Sequence, residues 1–306
     1  MRNRRSSCLL LGLLACCTAC GGRSSPRKPD RGSDVSAAAT EMDPPVSRDQ
    51  LIVATDYAFR GLPVRAHAGW LTLRLVNTGK ETHMLAVAPI PAGYTTSGFV
   101  DSLVHLHIAR NTTWWSGVDV VSPGDTAVIT AFFPAGDYAV SCFVKSADGA
   151  LHVVKGMVGS FDVIAARDTG VAPKVDGVVT MTRSHIGVQG AALTSGVQGA
   201  ALTSGVRTLR VVSRNPHPQD FQILKLHPGR SAQDALTWFT HRTTLTPAAE
   251  AVGGVSSIYS GQHASVTVRF TPGTYLLVFQ MDGADAYPAF AQRTLTIPLT
   301  HGSPGG

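Results

Sequence analysis

Glutamate is almost missing from this chain: Glu41, Glu81 and Glu250 are the only three in 306 residues, and charged residues make up only 15% of the total. Long helices draw their solvent faces from Glu, Lys and Arg, so this shortage argues against a helical bundle. The 31 Gly, the 18 Pro and the many Val and Thr instead favour strands joined by turns, an all-β protein. Cysteine is scarce where a core would form. Four of the five, Cys8, Cys16, Cys17 and Cys20, lie within the first twenty residues, which leaves Cys142 alone in the rest and excludes an internal disulfide framework there. A basic field is lacking too. Residues 1–34 hold seven Lys/Arg and two Asp, leaving nineteen basic and eighteen acidic residues in the remainder, so the net charge of +6 belongs mostly to the N-terminus. A folded part so nearly neutral offers phosphates no purchase, and nucleic acid is excluded as a partner. Gly-x-Ser-x-Gly, His-Glu-x-x-His and Gly-Lys-Ser/Thr motifs are absent as well, so the chain carries no visible catalytic machinery and reads as a non-enzyme.

What is present begins with an export signal. Arg2, Arg4 and Arg5 precede the apolar run Leu9-Leu10-Leu11-Gly12-Leu13-Leu14, which is too short to span a bilayer. The following Ala15-Cys16-Cys17-Thr18-Ala19-Cys20-Gly21-Gly22 resembles a bacterial lipobox, in which a cysteine is lipidated and becomes the mature N-terminus. Cys20 has the more typical flanks, and Cys16, with Leu13 three residues before it, is the alternative. The resemblance implies a signal peptide over residues 1–19 and a lipid anchor to a bacterial membrane, facing the cell envelope or periplasm. Residues 20–48, the lipidated Cys and a stretch rich in Ser, Pro, Arg and Asp, then form a flexible tether.

Beyond the tether, apolar alternation and turn residues predict strands at residues 51–55, 71–76, 127–132, 136–143 and 159–164, with a helix over 98–109. The order then repeats. Gly69-Trp70-Leu71-Thr72-Leu73-Arg74 matches Gly205-Val206-Arg207-Thr208-Leu209-Arg210, residues 231–241 match the helix, and Phe133-Pro134-Ala135-Gly136-Asp137-Tyr138 matches Phe270-Thr271-Pro272-Gly273-Thr274-Tyr275. A duplicated unit of about 120 residues suits a small β-sandwich. The expected organisation is two tandem sandwiches, residues 49–166 and 179–300, each with a short inserted helix, joined by a linker over 167–178 and followed by a tail at 301–306. A separate repeat of nine residues, Val-Gln-Gly-Ala-Ala-Leu-Thr-Ser-Gly, occurs twice over 188–205 and reads as a duplication that lengthens a loop or strand end.

One constellation carries chemistry. Cys142, His152 and Met157 follow one another on a single connection, and His83 comes just after the turn Asn77-Thr78-Gly79-Lys80-Glu81-Thr82. Two imidazoles, a thiolate and a weak axial thioether are the ligand set of a blue-copper electron-transfer site, since a fixed trigonal His₂Cys arrangement suits both copper oxidation states. Here the sequence resembles the cupredoxins. His152-Val153-Val154-Lys155-Gly156-Met157 is similar to the loop of copper nitrite reductases, and residues 77–83 resemble the turn before the first histidine ligand. The resemblance spans residues 50–165 and implies a Greek-key sandwich around one mononuclear type 1 copper. Cys142 would be the strong thiolate ligand, His83 and His152 the imidazoles and Met157 the axial ligand, with an exposed edge of His152 passing the electron. The nine residues between Cys142 and His152 exceed the loops of plastocyanin or azurin.

In the second unit, with Tyr275 matched to Tyr138, Phe279, Ala289 and Thr294 stand opposite Cys142, His152 and Met157, and Gln219, Asp220 or Phe221 opposite His83, so no ligand set survives. Ser141 and Phe143 flank Cys142 where copper enzymes place a histidine, and His105-Leu106-His107 lies in the expected helix, where residues two apart do not share a face. Three functions stay open: single-electron exchange with a redox protein partner, copper capture and delivery between a copper donor and acceptor, and a metal-free binding module in which Cys142 and Met157 are core residues.

Overall fold

Residues 69–77 show how the strands arise. Leu71, Leu73 and Leu75 are fully buried while Trp70, Thr72, Arg74 and Val76 face outward and are only partly covered, the period of two that packs one face of a sheet against a core. The computed structural model describes residues 48–105, 115–190, 193–196, 199–202, 204–240, 247–281 and 289–297. In the first half the order is β1 (Asp49–Thr55), β2 (Ala58–Arg60), β3 (Arg65–His67), β4 (Gly69–Asn77), β5 (His83–Pro89), α1 (Thr96–His105), β6 (Trp115–Val121), β7 (Thr126–Phe133), β8 (Gly136–Ser141) and β9 (Val158–Ile164). The second half continues with β10 (Gly177–Met181), β11 (Ile186–Gln189), β12 (Leu193–Gly196), β13 (Gly199–Leu202), β14 (Gly205–Ser213), β15 (Gln219–Leu226), α2 (Ala232–Thr240), β16 (Ala249–Ile258), β17 (Ala264–Phe270), β18 (Gly273–Met281) and β19 (Ala289–Ile297).

Two large sheets face each other across one core: β11-β10-β14-β17-β7-β4-β1-β2 and β19-β18-β15-β16-β6-β5-β8-β9-β3. The protein is therefore an all-β sandwich. Both sheets run through both halves. β7 pairs with β17 (Ile129 opposite Val266) and β6 pairs with β16 (Val118 opposite Val255), so equivalent strands meet edge to edge and no open sheet edge separates the halves.

The repeat is visible in detail. Thr72 Oγ1 lies 2.9 Å from Thr130 Oγ1 across β4 and β7, and Thr208 Oγ1 lies 2.9 Å from Thr267 Oγ1 across β14 and β17. Tyr138 donates to Pro134 O and Tyr275 to Thr271 O, each at 3.0 Å and each four residues back. Phe133, Tyr138 and Phe161 form a buried aromatic cluster, with Tyr138 stacked on Phe161 at 5.5 Å.

Several expectations shift. The first helix covers Thr96–His105 rather than residues 98–109, and it ends with an ion pair one turn apart between Asp101 and His105 (3.3 Å) on an exposed face. His107 lies outside the described residues. The strand expected to reach Phe143 stops at Ser141, because the chain turns at Cys142 to build the site described below. Residues 165–176 are irregular, and Thr169 O accepts from Trp70 N at 2.8 Å. The nine-residue repeat forms a hairpin between β11 and β14, using Leu-Thr-Ser-Gly of one copy (β12) against Gly-Ala-Ala-Leu of the next (β13), with Leu193 opposite Leu202. Trp115 packs at the start of β6 and donates from Nε1 to Phe132 O at 2.9 Å, whereas Trp114 and the Asn111-Thr112-Thr113 sequon fall outside the described residues. So do Cys16, Cys20 and the tether up to residue 47. Among the described residues no helix is long and apolar enough to cross a membrane.

Candidate metal centre

β5 and β8 lie side by side, Ala86 opposite Ser141, so the residues just outside their paired ends, His83 and Cys142, come together at one end of the sandwich. Asn77 sets the approach of His83. Fully buried at the end of β4, it donates from Nδ2 to Glu81 O (2.8 Å) and Val121 O (2.9 Å) and accepts at Oδ1 from Gly79 N (2.9 Å), folding residues 78–82 into a tight turn.

The long connection from Cys142 to Met157 folds back on itself. Ser146 N donates to Ala150 O (2.9 Å) and Gly149 N to Ser146 O (2.9 Å), closing a small turn at its tip, and Lys145 bridges Leu151. His152 N then donates to Val144 O (2.9 Å), Val153 N to Cys142 O (2.9 Å), Met157 N to His152 O (2.9 Å) and Cys142 N to Met157 O (3.2 Å). Each of these bonds shortens the path between ligands. The extra residues make a closed excursion, and His152 and Met157 return to Cys142 as they would from a shorter loop.

Three donor atoms converge. His83 Nδ1 is 3.1 Å from His152 Nδ1, Cys142 Sγ is 3.4 Å from His152 Nδ1 and 4.0 Å from His83 Nδ1, and all three residues are completely buried. They are the only such group of His, Cys, Asp or Glu side chains found among the described residues. A point equidistant from atoms so spaced lies about 2 Å from each, the length of a metal–imidazole bond. Met157 is also completely buried in the same core cluster and tied to Cys142 and His152 through its backbone. Met84 N approaches Cys142 Sγ at 3.4 Å and supplies a donor to the sulfur.

The outward nitrogens explain why the inward ones need a cation. His83 Nε2 is 3.2 Å from Asp56 Oδ1 and His152 Nε2 is 2.6 Å from Glu81 Oε2. A carboxylate only accepts, so each Nε2 carries the proton of its ring and each Nδ1 is left with a lone pair. Burial pushes the pKa of His83 down, against the pull of Asp56, and the neighbouring His152 lowers it further. Burial likewise lowers His152, against the pull of Glu81. Both rings are therefore neutral at pH 7, and two lone pairs face each other beside a sulfur. The single thiol proton of Cys142 can satisfy one of them; a metal ion satisfies all three donors at once. Two imidazoles and a thiolate in a closed triangle, with a methionine held beside them, fit a type 1 copper ion.

Of the four side chains expected from sequence, the structure brings the donor atoms of His83, Cys142 and His152 together and holds Met157 beside Cys142 and His152 through its backbone. It corrects the expected exposed edge of His152: the ring is completely buried, because Glu81 covers Nε2 and Tyr57 stands edge-on to it with ring centres 5.2 Å apart. Asp56, Tyr57 and Glu81 were missed. The available signal was that Glu81, one of only three glutamates, lies two residues before His83. In the second half, the pair Gln222–Val278 corresponds to Ala86–Ser141, which puts Gln219 in the place of His83. Gln219 is buried and already bonded to Ser213 Oγ (2.7 Å) and Thr182 O (3.1 Å), and Phe279 fills the place of Cys142.

No family model and no curated protein sequence matches this chain. Among solved structures, the chain is similar to a dithionite-reduced auracyanin from Roseiflexus castenholzii, at 18% identity over 39% of this chain and 98% of that one, with a TM-score of 0.31. It is also similar to auracyanin A, a blue copper protein from Chloroflexus aurantiacus, at 17% identity over 38% of this chain and 99% of that one (TM-score 0.28). A copper nitrite reductase from Nitrosomonas europaea matches at 15% identity over 82% of this chain and 94% of that one (TM-score 0.24).

Proposed function

We propose that this protein is an envelope-anchored type 1 copper protein that carries single electrons. His83, Cys142 and His152 would hold one copper in the first half, with Met157 as the axial ligand and Cys20 as the lipidated residue. The observation that carries the reading is the closed triangle of Nδ1, Nδ1 and Sγ, fully buried and already spaced for a metal. Copper in such a site supplies a one-electron couple whose two states share one geometry. The chain's own residues keep the imidazoles neutral, hold their lone pairs inward and exclude water, so little rearranges when an electron arrives from a donor protein or leaves to an acceptor. This is carriage without turnover of a substrate.

The test is the visible spectrum of the purified protein, reduced, loaded with Cu(II) and freed of excess metal. An intense thiolate-to-copper band at one copper per chain is expected, and Cys142→Ser should abolish it while the far-ultraviolet circular dichroism keeps its β-sheet signature. A band that survives Cys142→Ser would overturn the assignment, and a colourless, copper-free protein would favour a metal-free binding module. Copper capture and delivery uses the same ligands but needs rapid exchange. Three donors with no exposed surface favour slow release, so a chelator that strips the bound copper within seconds would favour delivery over electron carriage.

A further inference from the structure

Both imidazoles are gripped from behind, and the grips are themselves built. Asp56 Oδ1, facing His83 Nε2 at 3.2 Å, also accepts from Lys80 N (2.9 Å) and Glu81 N (3.3 Å). Glu81 places Oε2 on His152 Nε2 and Oε1 on the hydroxyl of Tyr57 (3.3 Å), which in turn accepts from Ser146 Oγ and Lys155 Nζ, each at 3.3 Å. Lys155 Nζ also lies 4.5 Å from the centre of the Tyr57 ring. Two local features make this arrangement possible. Tyr57 has φ of +68°, a left-handed conformation that residues with a Cβ rarely adopt, and it sits in the two-residue turn of the β1–β2 hairpin that brings Asp56 and Tyr57 over the site. Gly79 leaves the space: a Cβ there would stand 2.7 Å from His83 Nε2 and collide with Asp56 Oδ1.

Resting on the copper reading, we propose that Asp56 and Glu81 are positioning residues that fix both imidazoles with Nδ1 toward the metal and bias the bound copper toward Cu(II). Each carboxylate stands one ring away from the metal position, so each stabilises the more positive oxidation state. Ring orientation and charge are separable. A carboxylate behind a ligating imidazole sets its tautomer and raises its basicity, whereas a neutral amide oxygen in the same place keeps the tautomer and loses the charge. The side chains of Asp56 and Glu81 are only about a third exposed, at 32% and 31%, which limits screening of their charge.

The experiment is a mediator titration of the copper-loaded full chain, in which one electron passes from a reduced mediator to the bound metal. Glu81→Gln and Asp56→Asn should each shift the balance about tenfold toward Cu(I), a rise of about 59 mV for a one-electron couple. Asp49→Asn, at the opposite end of β1, should leave the potential unchanged. A Cu(II)/Cu(I) balance in Glu81→Gln within twofold of wild type at the same mediator potential, or an equal shift in Asp49→Asn, would overturn the proposal. A second readout needs no metal. In the apo protein, nitrogen-15 NMR should find the ring proton of His83 and His152 on Nε2, and Glu81→Ala should release that preference at His152 while far-ultraviolet circular dichroism confirms the fold. A proton found on Nδ1 in the wild type would overturn the orientation half. Failure of the wild type to take up copper would be seen first, as the missing thiolate band; it would overturn the charge bias together with the copper reading, while the apo spectra still decide the orientation.

Discussion

Replacing Asn77 with alanine should destabilise the apo protein by about 3 kcal/mol. The side chain is completely buried and makes three hydrogen bonds, two donated to Glu81 O and Val121 O and one accepted from Gly79 N. Each such bond contributes about 1 kcal/mol net, and backbone groups left without a partner in a buried turn raise the cost. The amide ties two backbone segments together, the 78–82 turn through Gly79 N and Glu81 O and the end of β6 through Val121 O. A loss of this size is a large fraction of the ~5–15 kcal/mol that holds a domain folded. Urea unfolding followed by circular dichroism would show it as a lower midpoint with an unchanged slope. Asn77→Asp, which keeps the acceptor but loses both donations and adds a buried charge, should cost at least as much. A loss below about 1 kcal/mol for Asn77→Ala would refute the idea that Asn77 organises the approach to His83.

Two further outcomes test the packing and the electrostatics. Phe161→Ala removes a ring that is 2% exposed and stacked on Tyr138, and should cost about 3–5 kcal/mol in thermal or urea unfolding. A cost under about 1.5 kcal/mol would mean that the aromatic cluster collapses into the space. Asp125, in the turn between β6 and β7, has its pKa raised by burial and by the nearby Glu250, against the pull of Lys225. A carboxyl raised in the folded state binds its proton more tightly there than in the unfolded chain, so folding stability falls as pH rises from the ordinary carboxylate range through the raised value. Asp125→Asn should therefore melt higher than wild type at pH 7, with the advantage vanishing toward pH 3; an equal or lower melting temperature at pH 7 would contradict the sign.

The parts of this molecule that were legible in the sequence are those written in local order. Strand periodicity, the inserted helices, the duplication and the succession His83, Cys142, His152, Met157 all depend on residue type and spacing along one stretch of chain, and the fold reproduces them with small shifts at element ends. The long Cys142–His152 spacing looked like a departure in geometry. Backbone hydrogen bonds that no spacing rule reveals close the extra residues into a turn.

The donor set itself was thus determined by sequence alone, because ligand chemistry resides in side-chain type. Tertiary structure decided how that set is used. Asp56 reaches His83 across 27 residues and Glu81 reaches His152 across 71, so the groups that orient the rings come together only when separate turns close over the same end of the sandwich. The same closure buries His152, whose edge the cupredoxin resemblance had implied would be open to solvent. The joining of the two halves through β6–β16 and β7–β17 was equally invisible beforehand. Edge strands pair through backbone groups that nearly every residue possesses, so only the fold determines which edges meet.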